Sequence, residues 1–399
     1  MITQGVGWYV ELRQCRGCQA EQLAGVLDLG ALPPAHRLHA PDEPEQTEIT
    51  LPLRLALCQQ CGLVQLADLM PADLPMEADP ADVSRRFAGP RAWSRKYTLD
   101  PSDLLVELLS DRSSTAQYQL VTSMGLPQRL TVTRWTEAAA DEIRRTYGPA
   151  RIVTASRVLS HFADLPNCLR GLARAVDDNG LVVLETRHLA AMVETTAFDL
   201  IQHRHLQYFS LGTLQTLLAA VGLSIFDLEP KPLAEGWLVV YAAPARRALP
   251  PSRHLTAALQ AEARLRLNEE QSWRAFAARV ERVKTELWVF LKEAFRFGQT
   301  FAGYGASARG NTLLSYCGVT SAEIPYIADD NTDLHGLLTP GHRIPITDPE
   351  RLLTDLPDIT LVLSWDQADA IIRDQLEYRR RGGRLASALP ETRIISVAA

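Results

Sequence analysis

The 399-residue sequence has no surplus of positive charge: 41 Lys and Arg stand against 47 Asp and Glu, a net charge of −6. That balance excludes the basic footprint of a nucleic-acid-binding protein. No apolar run approaches the roughly 18 residues that a membrane helix needs. The opening MITQGVGWYVELRQC lacks the basic and apolar regions of a signal peptide. A cytoplasmic protein without nucleic-acid or membrane partners is therefore expected. With 46% hydrophobic and 22% charged residues the composition is that of a globular chain, and its length suits two or three domains.

Cysteine is scarce as well, and four of the six fall into two CxxC pairs, Cys15 with Cys18 and Cys58 with Cys61. A reducing compartment disfavours disulfides, and thiolates at this spacing can face one ion, so the pairs read as a structural zinc site. The alternative, redox dithiols, would sit beside a βαβ pattern that is missing here. Cys168 and Cys317 read as small buried hydrophobes. Residues 1–75 also carry a proline-rich stretch, ALPPAH (31–36), and an acidic loop from Asp42 to Glu48. They show too little apolar periodicity for a core of their own, so zinc would supply the folding energy. Residues 76–100 read as a linker or an eroded helical segment.

Apolar runs of strand length recur from 104 to 243: LLVEL (104–108), LTVT (130–133), ARIVTA (150–155), GLVVLE (180–185) and LVVYAA (238–243). Helical patterns separate them, which predicts an α/β fold with a parallel sheet. Residues 252–297 alternate charged and apolar faces and predict one or two long packing helices rather than a partner-binding coiled coil. The stretch TFAGYGASARGN (300–311) predicts a strand, a glycine-rich turn and a helix, followed by strands in IPYIADDN (324–331) and ITLVLSW (359–365). Glycines at 303, 305 and 310 suit a phosphate-bearing ligand at a helix N-terminus, with Asp329 or Asp330 as a ribose-binding acid.

CRGC (15–18), CQQCGLVQL (58–66), FDLIQHRHLQYFS (198–210) and GYGASARGNTLLSYCG (303–318) occur in the order of one family. With TPGHRIPI (339–346), LSWDQAD (363–369) and YRRRGG (378–383), the sequence resembles the S-adenosylmethionine (SAM)-dependent C-3 methyltransferases acting on TDP-keto-deoxysugars in antibiotic pathways. The resemblance implies a zinc module (1–75), a methyltransferase-like Rossmann domain (76–250), and linking helices with a Rossmann-like nucleotide-sugar domain (251–399). It also implies that Tyr304, Ser307, Arg309 and Asn311 contact a nucleotide sugar, because they stand where the family has Tyr, Ser, Lys and Asn.

The departures from the family fall on the methyl donor. Where the family has a glycine-rich loop like EIGSNDG this sequence has VELLSDRS (106–113), and the span from Ser113 to Trp135 is too short for the usual helix, strand and ribose-gripping acid. SAM is therefore not expected as a cofactor; zinc is. The stretch YHEH becomes QHRH (202–205), NVxAHV becomes RVLSHF (157–162), EVPYL becomes ETRHL (185–189), and HGGSLRVY becomes AEGWLVVY (234–241). Arg157, Arg187 and Arg204 are new, and would line an anion pocket with His161, His203 and His205 as acid–base groups, His205 being the base. The bland alternative is a set of solvated surface arginines. The expected activity is SAM-free proton transfer (epimerisation, tautomerisation or elimination) on an anionic or nucleotide-linked small-molecule substrate such as a TDP-sugar, in natural-product biosynthesis. An unusual SAM-dependent methyltransferase and a non-catalytic partner protein are the alternatives.

Overall fold

A computed structural model describes residues 10–45, 48–69, 99–108, 118–121, 128–133, 135–229 and 236–395. The expected linker, most of the VELLSDRS loop and residues 234–235 of the AEGWLVVY stretch lie outside the described residues.

The N-terminal segment forms β1 (Val10–Glu11), β2 (Leu23–Leu32), β3 (Leu51–Cys58), β4 (Val64–Leu66) and β5 (Asp68–Leu69). In β3 the alternation LPLRLALC places Leu51, Leu53, Leu55 and Leu57 in the core. Leu53, Leu55 and Leu57 belong to one hydrophobic cluster that runs on into later helices and the C-terminal sheet. The segment therefore shares a core rather than lacking one, which corrects the expectation that zinc alone must supply its stability.

The central sheet is built from β6 (Leu104–Leu108), β7 (Tyr118–Val121), β8 (Gln128–Val132), β9 (Ala150–Ser156), β10 (Val176–Arg187), β12 (Leu223–Leu228) and β13 (Trp237–Pro244). Its order is β12-β13-β10-β9-β6-β8-β7, with β8, β6, β9 and β10 parallel and β13 reversed beside β10. Its helices are α1 (Glu137–Tyr147), α2 (Leu165–Ala175), α3 (Leu189–Glu194) and α4 (Leu211–Ala219). Thr136, Asp164 and Ser210 cap three of them, each accepting a backbone N–H of the first turn. Between β6 and β8 the described residues hold no helix; β7 instead folds back antiparallel on β8. A short strand has thus taken the edge, as the shortened span requires.

Strand β11 (Gln207–Tyr208) leaves the central region and pairs with β4, completing the N-terminal sheet in the order β11-β4-β3-β2. Helices α5 (Arg253–Ala263) and α6 (Glu270–Arg296) follow. Along α6, Trp273, Phe276, Val280, Val283, Leu287 and Leu291 are buried at i, i+3, i+4 spacing, and the helix packs on β2 and on α7 (Ala308–Cys317). The C-terminal sheet orders β16 (Ile346–Thr347), β15 (Ile327–Ala328), β14 (Phe301–Tyr304), β17 (Ile359–Val362), β18 (Arg384–Ser387) and β19 (Arg393–Ile395), all parallel except β19. Among the described residues no helix is long and apolar enough to cross a membrane.

Phe276 is fully buried in the core shared by the N-terminal sheet, α6 and the C-terminal sheet. Phe276→Ala should cost about 3–5 kcal/mol, and the loss should appear in chemical denaturation followed by Trp fluorescence.

Candidate functional site

The four cysteines of the two CxxC pairs converge. Their sulfurs all lie within 4.8 Å of one another, Cys15 Sγ standing 3.6 Å from Cys61 Sγ and Cys18 Sγ 3.5 Å from Cys58 Sγ. A tetrahedral zinc with bonds of about 2.3 Å sets sulfurs about 3.8 Å apart, so the donor set fits that ion. Gly17 N donates to Cys15 Sγ at 3.3 Å. The Cys15 thiol, hydrogen-bonded to Cys61, is pushed down while that of Cys61 is pushed up. Beside this knuckle Arg16 is buried, and its guanidinium donates to Leu66 O (2.6 Å), Asp68 O (3.2 Å) and Leu206 O (3.4 Å). The metal knuckle is thereby tied to the segment that carries His205.

At the C-terminal edge of the central sheet, Arg157 follows β9 with φ of +60°, a left-handed conformation uncommon outside glycine. Its Nε and Nη2 both donate to Glu185 Oε1 at 3.1 Å, and Ser156 Oγ donates to the other oxygen of that carboxylate. The guanidinium of Arg157 stands 4.0 Å from the ring centre of Trp237 and that of Arg187 stands 3.9 Å from it. Both guanidiniums thus stand on the one indole. Arg204 is buried in the 201–206 loop instead. The expected pocket of three open arginines is corrected accordingly: Arg157 is neutralised by Glu185, Arg204 is enclosed, and Arg187 stands on the indole with no acid among the described residues. Burial pushes the Arg187 guanidinium down to about 10, with Arg309 and Arg157 acting in the same direction.

The histidines separate into two kinds. His161 and His205 come together, ring centres 5.3 Å apart, with Nδ1 of His161 2.9 Å from Arg204 O and Nδ1 of His205 3.2 Å from Leu200 O. His203 points the other way and is buried against β3, its Nε2 3.2 Å from Leu51 O. It cannot act on a substrate shared with His161 and His205. Nearby His188, in the ETRHL stretch, is likewise a core group, 3.0 Å from Glu262, whose carboxylate also caps α4 through Leu211 N and Gly212 N.

In the C-terminal domain the residues expected to grip a nucleotide sugar are engaged with the protein. Tyr304 donates to Asp330 at 2.7 Å and accepts from Gln375. Asp329, expected to hold a ribose, accepts Ala306 N at 2.6 Å and so holds the glycine-rich turn itself. Ser307 caps α7, and buried Asn311 donates to Ala35 O at 2.8 Å. Gly305 (φ +91°) and Gly310 are needed for space, because a Cβ on either would come within 2.8 Å of Ser364 or Leu363. Arg309 crosses to the central region: its Nε is 2.7 Å from Asp199 Oδ2 and its Nη1 is 2.6 Å from Asp366 Oδ2. Trp365 Nε1 donates to the same Asp199 oxygen at 3.0 Å. Asp199 and Trp365 were not singled out in the sequence, although both lie inside the motifs FDLIQHRHLQYFS and LSWDQAD.

On the first strand, buried Glu107 accepts both Nε and Nη2 of Arg129 on β8. No acidic residue follows β8 before Glu137, and Glu137 pairs with Arg170 and Arg174.

Two tests follow from this geometry. Removing Cys15 or Cys58 by Ser substitution should abolish stoichiometric zinc, read by atomic emission on the purified protein. Burial pushes His203 down to about 4 from an ordinary 6.5. The unfolded chain then binds more protons, so stability is full above about pH 6.5 and falls as pH drops towards 4. Across that window the difference in unfolding free energy between wild type and His203→Gln should change by about 3 kcal/mol.

Comparison with known proteins covers nearly the whole chain. Residues 15–74 match a zinc binding domain, residues 80–228 a methyltransferase domain, and residues 232–390 a C-methyltransferase C-terminal domain. The C-methyltransferase NovU of Streptomyces niveus is 30% identical over 416 aligned positions, covering 96% of this chain and 97% of that protein. Among solved structures, an O-methyltransferase family 2 protein from Planctomyces limnophilus overlaps 24% of this chain and 30% of its own, at 13% identity and a TM-score of 0.21. The CcbJ methyltransferase from Streptomyces caelestis overlaps 24% of this chain and 57% of its own, at 10% identity and a TM-score of 0.20. Overlaps so partial carry no argument, and the assignment rests on the sequence matches: the chain belongs to the C-methyltransferase family, with an N-terminal zinc binding domain.

Proposed function

We propose that this member of the family moves a proton on an anionic, nucleotide-linked keto sugar in natural-product biosynthesis, without taking a methyl group from SAM. The observation that carries the reading is the pairing of His161 with His205. Each Nδ1 faces a backbone carbonyl, and a carbonyl only accepts, so each Nδ1 carries the proton and each Nε2 holds the basic lone pair. Two imidazoles so oriented can take a proton from the carbon beside a ketone and return one, the step common to epimerisation, tautomerisation and elimination. His205 is the base, His161 its partner, and the cation of Arg187 offsets the charge of the enolate. Zinc in the four-cysteine site would hold the N-terminal sheet and take no part in the chemistry.

Two features support leaving SAM out. The acid of the first strand is bound by Arg129, and the ribose-gripping acid after the second is missing from the sequence. On this reading neither of those two positions offers SAM a free carboxylate. The same reading divides the chain at about 75 and 250 into zinc module, remodelled methyltransferase domain and C-terminal domain. Arg157, Arg204, Tyr304, Ser307 and Asn311 then shape the substrate site through the contacts they make within the protein, and Arg309 joins its two walls.

Methyl transfer from SAM is the second reading, and the near full-length likeness to the C-methyltransferase NovU favours it. Calorimetry with SAM and S-adenosylhomocysteine separates the two. The expected result is no binding up to millimolar concentration; micromolar binding of either would return the protein to methyl transfer. In deuterated water, a TDP-keto-deoxysugar should gain deuterium beside its ketone in the presence of the wild-type protein. His205→Gln should slow that exchange at least 100-fold, while His203→Gln should leave it unchanged.

A further inference from the structure

The paired histidines stand on separate segments. His161 ends a 3₁₀ turn, Leu159–His161, and His205 lies in the loop that leads into β11. A turn so short has few bonds of its own: His161 N donates to Val158 O at 3.0 Å and Phe162 N to Leu159 O at 3.4 Å. Further bonds come from the other segment. Leu206 N donates to Ser160 O at 2.7 Å. The side-chain amide of Gln207 donates to Leu159 O at 2.6 Å and to Phe162 O at 2.9 Å, so it grips the chain on both sides of His161. Both neighbours of that amide are carbonyls, which only accept, and the nitrogen must therefore face them. Gln207 is fully buried, and its Oε1 has no donor among the described residues. An enclosed amide with an unanswered oxygen is costly where an apolar side chain would not be. The offsetting gain lies in the two carbonyls that bracket His161.

From this clasp we infer that Gln207 is the positioning residue of the proton-transfer pair. It holds the turn where His161 Nδ1 meets Arg204 O and the His161 ring meets that of His205. The inference deepens the proton-transfer reading proposed above and rests on it. Gln207 acts through the two carbonyls and not on the substrate. Its own backbone is anchored elsewhere: it lies opposite Gln65 on β4, and Gln65 Oε1 accepts Arg16 N, from within the first CxxC pair, at 2.9 Å. One residue thus has its main chain in the sheet beside the cysteine site and its amide on a turn of the central domain. Removing the amide takes a donor from each of two buried carbonyls and loosens the turn that carries His161. A shift of about 1 Å in a reacting group is enough to slow a reaction about 100-fold. A role confined to packing would show differently, as lost stability with the histidine geometry and kcat intact.

Gln207→Met keeps the length of the side chain and removes both donors, and it is tested in the full-length, zinc-loaded protein. With a TDP-keto-deoxysugar in deuterated water, kcat for exchange should fall at least about tenfold while KM changes less than about threefold. Without substrate, the ring-nitrogen NMR signals of His161 and His205 should move, and those of His203, packed on β3, should stay in place. An unchanged kcat, or a fall in kcat with unmoved His161 and His205 signals, would overturn the inference. Equal displacement of the His203 signals would overturn it as well, and would make Gln207 a general packing residue. Should the variant fail to fold, the wild type decides. Both side-chain amide protons of Gln207 should then exchange with solvent at least about 100-fold more slowly than those of an exposed glutamine, and equal rates would sink the idea. If the wild type incorporates no deuterium, the proton-transfer reading falls while the ring signals still report whether Gln207 positions the pair, so the two can fail separately.

Discussion

The arrangement of the candidate site depends on one buried ion pair, Arg309 with Asp199. Arg309 opens the helix after the glycine-rich turn of the C-terminal sheet, and Asp199 lies in the short 3₁₀ turn that precedes the 201–206 loop. The carboxylate is fully buried, Trp365 donates to it, and Asp366 meets the guanidinium from the other side. A pair so enclosed adds little net stability over apolar packing, yet breaking it would strand a charge at a cost of about 3–5 kcal/mol. Its effect is on register. It fixes the C-terminal domain against the loop that ends at His205, and so fixes which side chains of the two can face a common substrate.

Around that pair the charges are distributed by sequence changes that only make sense together. Arginine at 157 adopts a left-handed backbone and pairs with Glu185, and its guanidinium and that of Arg187 both stand on the ring of Trp237. Exchanging a small loop residue for Trp237 without both arginines would leave a large aromatic face uncovered at a polar seam. Installing the arginines without the indole and Glu185 would leave two cations side by side. The segments at 157, 187 and 237 are far apart in sequence but form one physical unit, in which charge is cancelled on one side and kept on the other.

The sequence made the α/β plan legible because strand-length apolar runs such as ARIVTA and GLVVLE have no helical period and alternate with segments that do. It also made the cysteine site legible, since CxxC spacing is itself a geometric statement. The alternation of leucines in β3 lies equally in the sequence, but a strand shows only that one face is apolar and not which later segments cover it. The direction in which adjacent histidines point was not readable. His203 and His205 are two residues apart in a loop of no fixed period, so nothing in QHRH says that the first turns to Leu51 and the second to His161. Nor does spacing reveal that Asp329 and Tyr304, in a phosphate-binding pattern, satisfy each other's neighbourhood rather than a ligand. Hydrogen-bond partners distant in sequence decide such matters, and a motif carries no record of them.

The pairing of β11 with β4 has a consequence for the order of assembly. The N-terminal sheet needs residues 207 and 208 for its last strand, and Arg16, beside the first cysteine pair, reaches Leu206 O. During synthesis the cysteines emerge nearly 150 residues before that strand, so the knuckle can close on its metal while its sheet still has an open edge. The strand that closes the edge lies immediately after His205. The step that completes the oldest part of the nascent chain is therefore the one that sets the proposed base in place.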